Sequence, residues 1–259
     1  MAVTMKDVKA ISIPVNGTDK VVNKIEDANG NIIWGSQAAF PYRRLEYIHF
    51  SGAEWLDTGN KPSVSYHYLQ FKPTAASNKC IIGCGGDNNS SGIFRWLLFT
   101  NSTGDGFVCR CGRNSSSNVN LGNFNTNNIY ESRMRTISTS NVWFGVYDLA
   151  TGSAVGTQTY SSGISFNPAN MPNIQIMRYD YSTGQGNYNT ADVYAYYVRS
   201  GDGSTAKIND RYPCQRKSDG VCGLYDILTN TFYPMQGTTI TDAAAGPIVD
   251  EYWDLTAPA

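Results

Sequence analysis

Short β-prone runs alternate with clusters of turn-forming residues over most of this sequence, from residue 42 to about residue 247. Runs that alternate apolar and polar residues in this way are typical of half-buried strands, and no segment has the apolar spacing of an amphipathic helix. Many short strands without interleaved helices indicate one antiparallel β-sandwich or barrel. The predicted strands are 44–50, 66–71, 79–84, 94–99, 107–112, 131–138, 142–148, 173–179, 191–198, 223–226 and 231–233.

The composition excludes several classes of protein. Charged residues make up 16% of the 259 residues and hydrophobic residues 41%, with a net charge of −1. A chain this apolar is not disordered, and it lacks the basic excess that nucleic-acid binding requires. No apolar stretch is long enough to span a bilayer, so we expect no membrane insertion. Asp7 and Lys9 interrupt the N-terminus, which argues against a cleaved signal peptide.

The first 35 residues are predicted to form a separate docking arm. Two β-prone runs, 21–25 and 32–34, flank an Asn-Gly pair within 28–31. Asn-Gly between apolar runs is a strong hairpin signal, because glycine accepts a positive φ. An isolated hairpin is marginal in water, so the arm is expected to dock on the main domain, on a copy of itself or on a larger assembly. We therefore predict an arm at 1–35, a linker at 36–41 and one domain at 42–259.

The six cysteines leave three interpretations open. Their spacings are C-x3-C, C-x-C and C-x7-C, and none is the C-x2-C pair typical of structural zinc. Buried thiols, disulfides and a metal site all remain alternatives. The alternation in 107–111 predicts Phe107, Cys109 and Cys111 on one face of a strand and Arg110 on the other.

Two sequence blocks resemble a known family. LEYIHFSGAEWLDTGNKP at 45–62 resembles the opening, and YPCQRKSDGVCGLYDILTNTFYPMQGTTITDAAAGP at 212–247 the closing, of concanavalin A-like (laminin-G-like) jelly-roll domains from phage and prophage structural proteins. The arm is similar to N-terminal segments of tail and virion-surface proteins. The resemblance implies an all-β antiparallel β-sandwich, a concanavalin A-like jelly roll, with a short N-terminal β-hairpin arm. The residues of both blocks are turn and core residues, so they indicate a fold rather than an active site.

No catalytic residue is predicted. The chain lacks the E-x-D-x-x-E strand pattern of jelly-roll glucanases, and it contains no G-x-S-x-G, G-x-G-x-x-G, Walker or H-E-x-x-H motif. A glycoside hydrolase would need two carboxylates brought together from separate strands. The five glutamates are scattered, at Glu26, Glu46, Glu54, Glu131 and Glu251. We therefore expect that the protein is not an enzyme.

One segment resembles the start of a calcium-binding loop. Asp87, Asn89 and Ser91 occupy positions one, three and five of an EF-hand-like run that has glycine at position six. Leu98 stands where the closing glutamate would be, so a polar loop is the competing interpretation. No cofactor other than calcium is considered.

A ligand-binding surface is the functional expectation. Sugar sites combine aromatic faces with amide and carboxylate hydrogen bonds. The tract 178–188 mixes tyrosines with glycines and polar residues, whereas two tryptophans elsewhere lie in apolar runs that also suit the core. The candidate residues are Tyr179, Asp180, Tyr181, Gln185, Tyr188, Trp96 and Trp143.

The family resemblance implies a non-enzymatic phage virion-surface protein of tail, fibre or head decoration. It would be made in the host bacterial cytoplasm and displayed on the virion surface. The arm would bind other virion proteins, and the jelly roll would contact host-surface glycans as a multivalent homo-oligomer. A purely structural decoration or fibre module and an extracellular glycoside hydrolase are the alternatives. The sequence leaves the position on the virion, the glycan and the oligomeric state open.

Overall fold

The regular secondary structure of the described chain is almost entirely β-strand. The computed structural model describes residues 11–15, 18–22, 24–26, 32–35, 40–89, 92–113, 117–162, 164–181, 184–186, 188–201 and 206–250, with side chains for 40–86, 93–113, 117–162, 164–179, 188–201 and 206–250. Short 3-10 turns are present at Pro168–Asn170 and Asp242–Ala244. Within these ranges no helix has the length and apolarity that crossing a membrane requires.

The N-terminal region contains two hairpins. Strand β1 (Ile11–Val15) pairs with β2 (Thr18–Val22), and β3 (Lys24–Glu26) pairs with β4 (Ile32–Gly35), each antiparallel. The sequence predicts a single hairpin, but residues 21 and 22 belong to the first pair. The Asn-Gly turn at 28–31 lies outside the described residues. The boundaries and the docking partner of the arm remain predictions.

The smaller of the two main sheets has six antiparallel strands in the order β12-β11-β10-β9-β16-β7. Phe107, Cys109 and Cys111 are buried on β11 and Arg110 is half-buried, which confirms the predicted alternation. The strands are β7 (Leu56–Asp57), β9 (Cys80–Asn89), β10 (Gly92–Thr100), β11 (Gly106–Gly112), β12 (Asn118–Asn123) and β16 (Gln175–Ile176).

The larger sheet runs β15-β14-β13-β8-β19-β20-β21-β22, with β5, β6 and β23 attached to it. Its strands are β5 (Tyr42–Leu45), β6 (Ile48–Ser51), β8 (Ser65–Pro73), β13 (Tyr130–Ser138), β14 (Asn141–Asp148), β15 (Ala154–Tyr160), β19 (Thr190–Ser200), β20 (Lys207–Arg216), β21 (Cys222–Asp226), β22 (Thr231–Pro234) and β23 (Ile248–Asp250). A separate hairpin joins β17 (Tyr179–Tyr181) to β18 (Gly184–Gly186).

The two sheets pack face to face around one apolar core. The Trp96 and Phe144 ring centroids, from opposite sheets, are 5.8 Å apart, and those of Phe71 and Phe107 are 5.7 Å apart. Strand β8 alternates strictly between buried and half-buried residues, so one of its faces fills the core and the other is turned outward. The predicted antiparallel β-sandwich is therefore confirmed.

Two of the predicted strands are interrupted. The single strand predicted at 44–50 is two strands, because β5 ends at Leu45 and β6 begins at Ile48. The strand predicted at 173–179 is broken by Met177, whose φ is 63°. The Met177 amide donates to the Ile81 carbonyl and its carbonyl accepts from Asn189, which holds this unusual conformation in place. The sequence does not predict strands β7, β12, β15, β18 and β20 of the main domain.

A buried arginine, Arg211, connects the opening and closing sequence blocks through an ion pair and a hydrogen bond. The Nε of Arg211 lies 3.2 Å from Asp226 Oδ2, and its Nη1 donates to the Thr58 carbonyl at 2.6 Å. The guanidinium carbon is 3.7 Å from the Tyr233 ring centroid. Arg211 and Asp226 are 1% and 0% exposed, and Asn209 donates a further hydrogen bond to Asp226. These contacts give Thr58, Asp226 and Tyr233 of the two blocks a structural role, as the sequence indicates.

All six cysteines are free, buried thiols in this structure. Burial is the main cause of their shifted acidities, raising the pKa of Cys109 to about 11 and that of Cys222 to about 12. Thiols held protonated in this way are poor nucleophiles and poor metal ligands.

Candidate functional site

The predicted tract around the β17–β18 hairpin is partly packed. Arg178 is 6% exposed, and its guanidinium carbon lies 4.1 Å from the Trp55 ring centroid and 5.5 Å from that of Tyr188. Its Nη1 also donates to the Tyr188 hydroxyl at 3.3 Å. Tyr188 thus covers a buried arginine, and Tyr179 is half-buried at the start of β17. The remaining predicted residues, Asp180, Tyr181 and Gln185, have side chains outside the described set.

The two predicted tryptophans have different environments. Trp96 is 0% exposed, between His67 at 5.5 Å and Phe144 at 5.8 Å between ring centroids. It is a core residue with no access to a ligand, which corrects its inclusion in the predicted binding set. Trp143 is half-buried and lies on the outward side of β14.

The predicted calcium loop falls largely outside the described side chains. Asp87 and Asn89 lie at the end of β9 without described side chains, and Ser91 is not described. Among the described residues, no group of three histidine, cysteine, aspartate or glutamate side chains is arranged to hold a metal ion. Calcium binding therefore stays a prediction.

The most distinctive surface is the outward side of five adjacent strands, β14, β13, β8, β19 and β20, which we call the outer face. Antiparallel register places its residues in three rows, each crossing the strands. Tyrosines, arginines and one tryptophan dominate the three rows. Row one is Trp143, Arg135, Tyr66, Arg199 and Lys207; row two is Gly145, Arg133, Tyr68, Tyr197 and Asp210; row three is Tyr147, Glu131, Gln70 and Ala195.

Stacked rings and cations form the centre of the outer face. The Tyr68 and Tyr197 rings stack with centroids 4.4 Å apart and planes at 10°. The Lys207 Nζ lies 4.8 Å from the Tyr197 centroid and the Arg199 guanidinium carbon 5.3 Å from that of Tyr68. Cations over ring faces are attracted by the ring quadrupole. This lattice holds the side chains of rows one and two against each other.

One carboxylate organises the outer face. Glu131 is 4% exposed and accepts hydrogen bonds from Arg133 Nε at 2.7 Å, the Tyr197 hydroxyl at 2.8 Å and Gln70 Nε2 at 3.0 Å. Burial disfavours the charged form of Arg133, but its bond to Glu131 outweighs this and the pKa of Arg133 is raised. Burial and the charge of Glu131 raise the pKa of Tyr197 as well. Glu131 thus fixes three neighbouring side chains in place.

An aromatic shelf lies at one end of the outer face, where Trp143 and Tyr147 lean over Gly145. A Cβ built on Gly145 would lie 2.6 Å from Trp143 Cη2 and 3.0 Å from Tyr147 Cε2. Arg133 covers Tyr147, with its guanidinium carbon 3.9 Å from the ring centroid. Trp143, by contrast, neither hydrogen-bonds to nor stacks with any side chain in the described part of the chain. Its ring therefore lies over Gly145 and is not stacked on by any side chain that the structure describes.

Local sequence composition does not identify the outer face. The signal that could have found it is the alternation of Tyr66, Tyr68 and Gln70 with buried neighbours along β8, since aromatic side chains grouped on one outward face mark interaction sites. This alternation identifies the outer face only when the neighbouring strands are known.

Known proteins resemble this chain distantly, in structure. No protein-family model matches the sequence, and no curated protein matches it significantly. The Ruminococcus gnavus IT-sialidase CBM40 aligns over 60% of this chain and 88% of its own, at 10% identity and a TM-score of 0.43. The enzymatically active domain of bacteriophage CBA120 tailspike protein 2 aligns over 64% of this chain and 30% of its own, at 11% identity and a TM-score of 0.40. Scytalido-glutamic peptidase aligns over 75% and 100%, at 12% identity and a TM-score of 0.37. Similarity at this level identifies no function.

Proposed function

We propose that this protein is a non-enzymatic attachment protein of the phage virion surface, and that its outer face binds host-surface glycans. The observation that supports this most directly is the Trp143 ring, which stacks on no side chain among the described residues, beside a lattice of tyrosines and arginines. Sugars present an apolar face that stacks on aromatic rings and hydroxyls that bond to polar groups. The outer face offers both kinds of contact on adjacent strands.

The rigidity of the outer face favours binding. Its side chains project from paired strands and are held by Glu131 and by the Tyr68–Tyr197 stack. A surface that is ordered before binding loses little conformational entropy when the ligand arrives. A single shallow site of this kind binds weakly, and many copies on one particle convert weak contacts into strong attachment.

The proposed place on the virion follows from the sequence resemblance. On this proposal the N-terminal hairpins bind other virion proteins, and copies of the jelly roll are presented together at the virion surface. The site is not proposed to be catalytic, because the oxygens of Glu131 are already bonded to Arg133, Tyr197 and Gln70.

The experiment is a glycan array probed with the protein coupled to beads in many copies. We expect wild type to bind a subset of glycans and Trp143→Ala to lose about tenfold or more in apparent affinity, because a buried aromatic contact contributes about 0.5–1.5 kcal/mol beyond its area and each bead makes several contacts. Trp55→Ala removes a half-buried tryptophan away from the outer face and is the matched control. Circular dichroism verifies that both variants fold.

Two results would reject the proposal. Absence of any glycan binding at high valency would favour the purely structural module instead. Equal binding by wild type and Trp143→Ala, with Trp55→Ala impaired, would move the site to the Arg178 neighbourhood.

A further inference from the structure

In row one of the outer face, one arginine lies on each side of a single tyrosine. Arg135 on β13 and Arg199 on β19 are both in register with Tyr66 on the strand between them, β8. The Arg135 guanidinium carbon is 4.4 Å from the Tyr66 ring centroid. Trp143 is the cross-strand neighbour of Arg135 on the other side. A tryptophan, an arginine, a tyrosine and a second arginine thus follow one another across four strands.

In row one, the cationic side chains outnumber the carboxylates that pair with them. Glu131 is bonded to Arg133 and Asp210 to Lys207, each at 2.7 Å, so these two carboxylates neutralise two of the four cations. Arg135 and Arg199 form no ion pair with any carboxylate that the structure describes. Row one therefore carries two positive charges that contact tyrosine rings but are neutralised by no carboxylate of the described residues.

The hydrogen-bonding capacity of the two arginines is also unused. Neither guanidinium donates to an acceptor within the described chain, and the buried Nε of each has no hydrogen-bond partner there. A guanidinium carries five N–H donors in a planar fork that fits carboxylate and sulfate oxygens. The Nε of each guanidinium is buried, so an anion would bind the Nη donors, where water is partly excluded and charge-assisted hydrogen bonds are strong.

We propose that row one is an anion subsite, which takes the carboxylate or sulfate groups of an acidic polysaccharide while its sugar rings pack on Trp143. This inference rests on the proposed glycan-binding function and names the class of glycan. Arg135 and Arg199 are two strand spacings apart, about 10 Å. A polymer with repeated charges can engage both, whereas a single acidic sugar engages one.

The test compares polymers that share one backbone: dextran, carboxymethyl-dextran and dextran sulfate, immobilised and probed with the full chain by biolayer interferometry. We expect wild type to bind at least one acidic polymer at least tenfold more tightly than dextran. Arg135→Gln/Arg199→Gln should lose at least tenfold toward that polymer. The two acidic polymers distinguish carboxylate from sulfate as the preferred group.

Two further variants separate a built site from general charge attraction. Lys61→Gln/Lys79→Gln removes the same charge outside the strands of the outer face and should retain binding within about twofold. Arg135→Lys/Arg199→Lys keeps the charge but lacks the planar fork, so we expect only partial binding. An equal loss in the Lys61/Lys79 and Arg135/Arg199 variants would overturn the subsite and indicate non-specific attraction.

The failure of this inference differs from the failure of the proposed function. Binding on the glycan array that is confined to neutral glycans, or that persists in Arg135→Gln/Arg199→Gln, would overturn the anion subsite and leave glycan attachment intact. No binding to any glycan or polymer would overturn both.

Discussion

A histidine beneath the outer face makes the stability of the fold depend on pH. His67 lies between Tyr66 and Tyr68 on β8 and is turned into the core, where it is 1% exposed. Its Nε2 is 2.8 Å from the Ser65 hydroxyl and its Nδ1 is 2.8 Å from the Tyr196 hydroxyl. Burial, together with the positive charge of Arg211, lowers the pKa of His67 to about 3.

The size of the effect follows from the difference between the folded and unfolded pKa values. The unfolded chain takes up a proton near pH 6.5, whereas folded His67 does so only near pH 3. Between these values the unfolded state binds more protons, so stability is full above pH 6.5 and falls as the pH is lowered. At about pH 4.5, two pH units below the unfolded pKa, the loss is about 3 kcal/mol.

Urea unfolding at about pH 7.5 and about pH 4.5, followed by tryptophan fluorescence, measures this loss. We expect wild type to lose about 3 kcal/mol and His67→Gln to lose much less, because glutamine bonds to both hydroxyls without titrating. His49→Gln, at the half-exposed histidine bonded to Asp192, is the control and should behave like wild type. If His67→Gln does not fold, NMR titration of the wild-type imidazole provides the same test. Equal losses in wild type and His67→Gln, or an imidazole that titrates near its ordinary pKa, would refute the reasoning.

Three further predictions concern packing. Asp226→Ala should lower the free energy of unfolding by about 3–5 kcal/mol in urea titrations, since it leaves Arg211 buried without its carboxylate; a loss below about 1 kcal/mol would contradict the buried pair. Gly145→Ala should weaken glycan binding at unchanged thermal stability, because the added Cβ displaces the half-exposed Trp143 ring; unchanged array binding would argue against the shelf. The native thiols should resist a disulfide reagent at neutral pH and react fully in denaturant, since burial raises the pKa of residues such as Cys109; rapid native labelling would contradict their burial.

The strands could be predicted where their two faces differ in polarity. They could not be predicted where tertiary contacts determine which residues are buried. Strand β8 alternates so regularly that its period is visible in the sequence. Strand β20 was missed because its buried residues include Asn209, Asp210 and Arg211, which read as a polar loop. Their burial depends on Asp226 and on the Thr58 carbonyl, which come from distant parts of the chain.

The binding surface could be predicted only in part, because its residues converge through strand order. Trp143 is among the predicted residues, whereas the tract 178–188 is predicted only from its local mixture of tyrosine, glycine and polar residues. The pairing of Arg135 and Arg199 with Tyr66 requires that β13, β8 and β19 be neighbours. In antiparallel sheets with crossovers, the local sequence does not indicate which strands are adjacent.

Following the tryptophan indole N–H signals by NMR during titration with the best-binding glycan of the array tests the central claim most directly. Trp143 reports on the outer face, Trp55 on the Arg178 neighbourhood and Trp96 on the core, with each signal assigned by a Phe substitution. If the outer face binds the glycan, the Trp143 signal shifts in proportion to saturation while those of Trp55 and Trp96 stay in place. A shift of Trp55 with Trp143 unmoved would contradict this account.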